Sequence, residues 1–73
     1  MLDENKKQSI FGKNIAKYRK SKGYTQSQLA EKLDISREHL AKIETAKRGI
    51  SINLLYKLSA VLGVPEKDFF NFS

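Results

Sequence analysis

The apolar residues of this chain recur at intervals of three and four. Phe11, Ile15 and Tyr18 show this spacing in the first third of the sequence, and similar spacings return in later segments. Because an α-helix completes one turn in about 3.6 residues, residues at these intervals share one helix face. No stretch alternates apolar and polar residues in the way that predicts a half-buried strand. The pattern therefore predicts an all-α protein.

Residues suited to helix starts divide the chain into five predicted helices. Serine and threonine are good N-caps because their side-chain oxygen accepts a hydrogen bond from the first turn, and proline suits the first helical position. The predicted starts are Ser9, Thr25, Ser36, Ser51 and Pro65. Residues 1–8 lack a periodic apolar signal. We therefore expect a flexible N-terminal arm over 1–8 and one helical domain over 9–73.

The second and third predicted helices are separated by only about three residues, and so short a connection forces them to cross at a steep angle. Leu40 and Ile43 set the buried side of the third helix, which places Arg37, Glu38 and Lys42 on its opposite side. In the DNA major groove, Arg and Lys can donate to guanine O6 and N7, and Glu can accept from cytosine N4. The alternative is a solvated face with a Glu38–Lys42 ion pair. The preceding crossing helix favours DNA contact.

Charge is unevenly distributed along the chain. The net charge is +6, yet residues 6–48 alone hold 12 basic and 4 acidic residues, a net charge of +8. Such an asymmetry suggests a polyanionic partner, which is either nucleic acid or an anionic membrane surface. A merely solubilising surface is the competing interpretation.

The sequence offers little for catalysis or metal binding. It has no cysteine and a single histidine, His39, so neither a disulfide nor a metal site is expected. It has no Gly-rich phosphate loop and its carboxylates are dispersed, so we expect no enzyme and no cofactor. No apolar run approaches the ~20 residues of a membrane span, and the polar N-terminus is not a signal peptide. We expect a soluble, cytoplasmic protein with neither a membrane nor a small-molecule partner.

Two segments, YRKSKGYTQSQLAEKLDISREHLAKIE and LSAVLGVP, resemble the lambda-repressor-like, or XRE/Cro-type, helix-turn-helix family of bacterial and phage DNA-binding regulators. The resemblance runs from about Phe11 to Phe69. It implies a compact five-helix domain with the helix-turn-helix at helices 2 and 3. The third helix would enter the major groove, and the second would lie across the sugar-phosphate backbone. Asp34 and Ala46 stand where family members often carry glycine.

The resemblance also implies roles for individual residues. The residues that would face base edges or their flanking phosphates are Ser36, Arg37, Glu38 and Lys42. The residues implied in phosphate contacts are Gln26, Lys47, Arg48 and Asn14. Arg19 and Glu44 are expected to form a structural ion pair between the first and third helices.

A homodimer is expected because one recognition helix contacts too few base pairs to define a unique genomic site. A two-fold dimer on an inverted-repeat operator doubles those contacts. Phenylalanines near the C-terminus exceed what one short helix can bury, which suggests a contact surface there. The candidate residues for this contact are Phe70, Phe72, Leu54 and Val61. The alternative is that they all fill the monomer core and that dimers form only on DNA.

These observations favour a sequence-specific regulator of transcription that binds double-stranded DNA. It would act as a stand-alone repressor or activator; small family members of this kind include phage repressors and controllers of restriction–modification systems. The competing hypothesis is an antitoxin-like protein-interaction module that binds DNA only secondarily. Antitoxins usually carry an additional segment that covers the toxin, and this chain has little spare sequence.

Overall fold

A computed structural model describes residues 4–71, which form four α-helices and one 3₁₀ helix and contain no strand. The bounds are α1 Glu4–Ser21, α2 Gln26–Leu33, α3 Arg37–Glu44, α4 Ile52–Leu62 and the 3₁₀ helix Glu66–Phe70. The all-α prediction is confirmed. The predicted fifth helix is a 3₁₀ helix, because a segment this short closes tighter i→i+3 bonds more readily than α-helical ones. None of the described helices has both the length and the apolar character that a membrane crossing requires.

The predicted start of the first helix at Ser9 is wrong, because α1 begins at Glu4. Residues 4–8 are therefore helical, which differs from the flexible arm expected for this part of the chain. Lys6, Lys7 and Gln8 are good helix formers, and the carboxylate of Glu4 interacts favourably with the positive end of the helix dipole. A residue suited to N-capping therefore does not mark the start of a helix when strong helix formers precede it.

The predicted caps of the next three helices are confirmed. Thr25 Oγ1 accepts the Gln28 N–H at 3.1 Å, and Gln28 Oε1 accepts the Thr25 N–H at 2.9 Å, which completes a capping box. The hydroxyl of Ser36 accepts from the backbone of α3 at 3.0 Å, and that of Ser51 accepts from α4 at 3.1 Å. These side chains define where α2, α3 and α4 begin.

Each of the four α-helices is followed within two residues by a residue with positive φ, a geometry that lets the N–H groups after the helix reach its last carbonyls. These residues are Gly23, Asp34, Ala46 and Gly63, with φ of 78°, 59°, 63° and 65°. After α3, the Lys47 N–H donates to the Lys42 carbonyl at 2.8 Å. The two that are not glycine, Asp34 and Ala46, lie on either side of α3.

One apolar core joins the helices. Its buried members among residues 4–71 are Phe11, Ile15, Leu29, Ala30, Leu33, Leu40, Ile43, Leu54, Leu58, Leu62 and Phe69. The Phe69 ring meets the rings of Phe11 and Tyr18 edge-on, at centroid distances of 6.4 and 5.7 Å. Leu54 is only 7% exposed, so its predicted place in a dimer contact is wrong. It shares the buried row of α4 with Leu58 and Leu62, which follow at steps of four residues.

Candidate nucleic-acid interface

The outer face of α3 groups the polar residues that the helical spacing predicted there. Arg37, Glu38 and Lys42 are exposed, and Ala41 is half-buried between them. An open groove on this face is lined by Arg37, Glu38, Ala41, Lys42, Thr45 and Lys47. Ser36 is exposed at the start of the helix, where its oxygen caps α3 and its hydroxyl hydrogen can still be donated. Cationic donors and an anionic acceptor therefore lie side by side on one exposed surface.

A buried carboxylate ties three helices together behind this face. Glu44 accepts from Arg19 at both oxygens, with Nε–Oε2 at 2.8 Å and Nη2–Oε1 at 3.1 Å. The Arg19 side chain is 10% exposed and that of Glu44 is 5% exposed. Arg19 Nη1 also donates to the Tyr24 carbonyl at 2.9 Å, and Gln26 Nε2 donates to Glu44 Oε1 at 3.0 Å. The ion pair between α1 and α3 thus extends to the first residue of α2.

Gln26 has hydrogen-bond donors left for a phosphate although its side chain already binds Glu44. One amide hydrogen of its half-buried side chain is held by Glu44, and the second remains for another acceptor. The backbone N–H groups of Gln26 and Ser27 are in the first turn of α2, where no intrahelical acceptor exists. The start of α2 therefore has several donors in one place, next to the buried network.

The position of α3 also depends on Gly12 of α1, which sequence analysis missed. A Cβ atom at Gly12 would lie 2.6 Å from the carbonyl oxygens of both Ile43 and Glu44. Only glycine lets the backbones of α1 and the end of α3 approach this closely. The signal was a glycine inside a helical pattern, which is unfavourable by about 1 kcal/mol relative to alanine and so implies a packing reason.

The loop after α3 exposes both Lys47 and Arg48. Lys47 lines the same groove as Arg37 and Lys42, so its ammonium group lies at the border of the α3 face. Arg48 follows directly and does not line that groove. Lys47, one of the predicted phosphate contacts, therefore lies next to the predicted base contacts.

Asn14 has a different role from the one predicted. Its Nδ2 donates to the carbonyls of Phe69 at 2.9 Å and Asn71 at 3.2 Å. Both amide hydrogens therefore bind the chain after α4, where α1 packs against the 3₁₀ helix. A phosphate needs these same donors, so the structure does not support a phosphate contact for Asn14.

Comparison with known proteins decides the family. A family model described as helix-turn-helix matches residues 15–69. The chain belongs to the helix-turn-helix family. The resemblance inferred from the sequence motifs is therefore confirmed.

Helix-turn-helix regulators also stand among the similar proteins. The transcriptional regulator SinR of Bacillus licheniformis is 41% identical over 63 residues, which cover 85% of this chain and 57% of SinR. Control protein C.BamHI of Bacillus amyloliquefaciens is 34% identical over 65 residues, covering 88% of this chain and 80% of that protein. A similar fold is seen in a crystal structure of SinR, described as the master regulator for biofilm formation, in complex with DNA. The TM-score is 0.78 and the sequence identity is 40%, and the match covers 84% of this chain and 98% of that chain. This chain thus spans little more than half of the SinR relative's length.

The predicted dimer residues of this helix-turn-helix protein are not equally accessible. Phe70 is 44% exposed, although its ring stacks on Phe11 at 4.9 Å, and Val61 is half-buried. Phe72 lies outside the described residues. Sequence analysis overlooked Ile52 and Tyr56, which are 66% and 59% exposed on α4. Their spacing of four residues places them one helical turn apart on α4, and neither belongs to the core.

Proposed function

We infer that this protein binds double-stranded DNA sequence-specifically and regulates transcription, with α2 and α3 as its helix-turn-helix. The observation that carries the proposal is the two-sided structure of α3. Its inner side is fixed in the core by Leu40 and Ile43, while its outer side is an exposed set of hydrogen-bonding groups. The similarity to SinR, whose crystal structure was determined with DNA, supports this proposal.

The side chains on this face suit base recognition. An α-helix about 10 Å across fits a major groove about 12 Å wide. Arg37 and Lys42 can donate to guanine, and Glu38 can accept from the amino group of cytosine. The Ser36 hydroxyl is placed to donate to a base or to a flanking phosphate. Glu38 also favours discrimination between DNA sequences. Where no cytosine amino group lies opposite it, its carboxylate repels the DNA and weakens binding to that sequence.

A second group of residues is suited to hold the backbone. Lys47 and Arg48 are exposed in the loop after α3, and Gln26 is at the start of α2. Phosphates bind readily at helix N-termini, where free N–H groups and the helix dipole act together. Such contacts fix the register of the protein on DNA without reading its sequence.

We also propose that the protein acts as a homodimer on an inverted repeat. The half-sites would lie about one helical turn apart, close to 10 base pairs between centres. A single small module buries only about 600–1,000 Å² on DNA, so pairing two modules increases both affinity and specificity. Phe70, Phe72 and Val61 remain candidates for the contact, and Ile52 and Tyr56 add an exposed apolar pair.

Selection of bound duplexes from random DNA tests the proposal. We expect a recurrent sequence that binds about 10³-fold or more tighter than its shuffled version at physiological salt. Regulation is then measured by in vitro transcription from a promoter that carries the selected sequence, with and without the protein. Equal affinity for all duplexes would refute the proposal, and an unchanged transcript level would refute its regulatory part.

A further inference from the structure

The outer face of α1 carries aligned lysines that the proposed DNA contacts do not use. Lys13, Lys17 and Lys20 are exposed, and steps of four and three residues place them within an arc of about 60° around the helix. These three residues are referred to as the lysine row. Lys6, seven residues before Lys13, falls on the same side of α1.

The lysine row lies on the side of α1 that faces away from the core. Ile15, which is fully buried, is about 160° around the helix from Lys17. Gly12, which touches the end of α3, is about 100° around the helix from Lys13. No residue of α1 lines the groove on the outer face of α3. The lysine row and the proposed base-reading face are therefore separate surfaces.

The positive charge of the lysine row is not neutralised by its surroundings. Among residues 4–71, no carboxylate forms an ion pair with any of the three ammonium groups. Lys17 lies over the Tyr18 ring at 5.5 Å, which leaves its charge intact. The single acidic residue of α1, Glu4, is nine residues before Lys13. A purely solubilising surface would not need its charges in one line.

The spacing of the lysine row fits the backbone of duplex DNA. The row spans seven residues, or about 10.5 Å along the helix. Phosphates of one DNA strand recur every ~3.4 Å along the duplex axis, so this length presents about three of them. An exposed helix laid over the backbone can therefore bring its lysines close to neighbouring phosphates.

We propose that the lysine row is a second contact surface for double-stranded DNA, independent of sequence. One protein molecule bound through α3 then holds another segment of duplex through α1. The contact is electrostatic and involves up to three phosphates, so its affinity falls steeply with salt, with a log–log slope of about −2.7. This role goes beyond recognition of an operator and does not require that the α3 face be specific.

A bridging experiment tests this surface. The protein is first saturated with a short, fluorescently labelled duplex obtained by selection, which occupies every α3 face. The complex is then captured at about 50 mM salt on beads that carry a duplex of random sequence. In the test variant, Lys13, Lys17 and Lys20 are all replaced by glutamine, which preserves helix propensity. The control variant removes the same charge from three exposed lysines outside the row, through Lys22→Gln, Lys57→Gln and Lys67→Gln.

We expect the wild-type protein and the control to retain the label on the beads, and the lysine-row variant to retain about tenfold less. All three should bind the short duplex in solution with affinities within about twofold of each other, and circular dichroism should show the same helix content. If selection yields no preferred duplex, the proposed sequence specificity of α3 is refuted. The lysine row can then still be tested with a labelled duplex of random sequence.

Three outcomes would overturn the proposal. The wild-type protein could retain no label above bare beads, or the lysine-row variant could retain as much as the wild type. The variant could also lose affinity for the short duplex as strongly as it loses bridging, which would place the row within the α3 interface. Vesicles containing phosphatidylserine provide a further arm. Sedimentation of the wild type with them, without DNA bridging, would assign the row to a lipid surface and reject the DNA contact.

Discussion

Ala46, two residues after the end of α3, has a φ of 63°, a conformation that L-residues with a side chain rarely adopt. We expect Ala46→Gly to raise the free energy of unfolding by about 0.5–1 kcal/mol, because glycine adopts this backbone without steric strain. Urea denaturation measures the change. Ala60→Gly is the matched control, since Ala60 is exposed within α4, and there the same substitution should be destabilising by about 0.5–1 kcal/mol. A less stable Ala46→Gly variant would contradict the expectation.

Arg37 and Lys47 line one groove but are expected to contribute differently to DNA binding. Arg37→Ala should weaken binding to the selected duplex by about 1–3 kcal/mol and relax the preference at one base pair, because a bidentate base contact is lost. Lys47→Ala should weaken binding to all sequences alike and reduce the salt slope by about 1. Fluorescence anisotropy over a salt series measures both effects. Equal losses on selected and random DNA for Arg37→Ala would remove this residue from base reading.

Individual residues were predictable where the determining interaction is local. Thr25, Ser36 and Ser51 cap helices through contacts three residues away, so the sequence was sufficient to identify them. Asn14 was misassigned because its partners, Phe69 and Asn71, are more than 50 residues away and are backbone carbonyls. Any residue can supply a carbonyl, so no sequence motif marks such a contact.

At the scale of elements, the approach of α1 to α3 is set by Gly12. We expect Gly12→Ala to destabilise the fold by about 1–3 kcal/mol despite the higher helix propensity of alanine, because the new methyl group meets two backbone carbonyls at 2.6 Å. Gly49→Ala is the control, since a Cβ there meets nothing within 4 Å and should be nearly neutral. Thermal and urea denaturation of both variants test this, and equal stabilities would show that α3 shifts at little cost.

The second determinant of the α3 position is the buried pair of Arg19 and Glu44. Glu44→Ala leaves the guanidinium buried without its carboxylate and also removes the acceptor of Gln26, so we expect a loss of about 3–5 kcal/mol. Glu31→Ala on the exposed side of α2 should change stability by less than about 0.5 kcal/mol. The midpoints of urea denaturation of the two variants measure these changes in stability. An unchanged midpoint for Glu44→Ala would show that the pair contributes nothing to stability.

The helical segments and most of their starts could be read from periodicity and caps, whereas the packing of one element on another could not. The early start of α1 was missed because a cap signal at Ser9 was given more weight than the helix formers before it. Leu54 was misplaced because periodicity shows which residues share a face but not how wide the buried part is. Gly12 lacked any identifiable partner, since its contact is with the backbone of a distant helix.

At the scale of the whole molecule, positive charge and exposed apolar area occupy different parts of the chain. Basic residues concentrate in residues 6–48, while the exposed large apolar side chains among residues 4–71 are Ile52, Tyr56 and Phe70. Two copies that pair through the exposed side of α4 therefore bring together the C-terminal third of the chain, a segment without net charge, whereas Phe70 stacks on Phe11 of α1 and lines a groove with Lys7. This separation is the physical reason to place the dimer contact in the C-terminal third of the chain.

We expect the wild-type protein to form a dimer at micromolar concentration, and substitutions in this contact to separate pairing from folding. Ile52→Gln with Tyr56→Gln removes exposed apolar area from α4 and should leave the core intact, because neither residue belongs to it. Phe70→Gln tests the other candidate, with some loss of stability expected because its ring stacks on Phe11. Sedimentation velocity measures association, and circular dichroism verifies folding.

A folded, monomeric variant should bind the full inverted repeat much more weakly than the wild type does. In a dimer, binding of one protomer to its half-site holds the other protomer close to the second half-site. The second binding event therefore occurs at a high effective concentration. The same variant should bind an isolated half-site as the wild type does, because its α3 face is unchanged. A wild-type protein that remains monomeric and binds a half-site as tightly as the full repeat would rule out the dimer. If only one of the two sets of substitutions abolishes association, that set identifies the surface through which the copies pair.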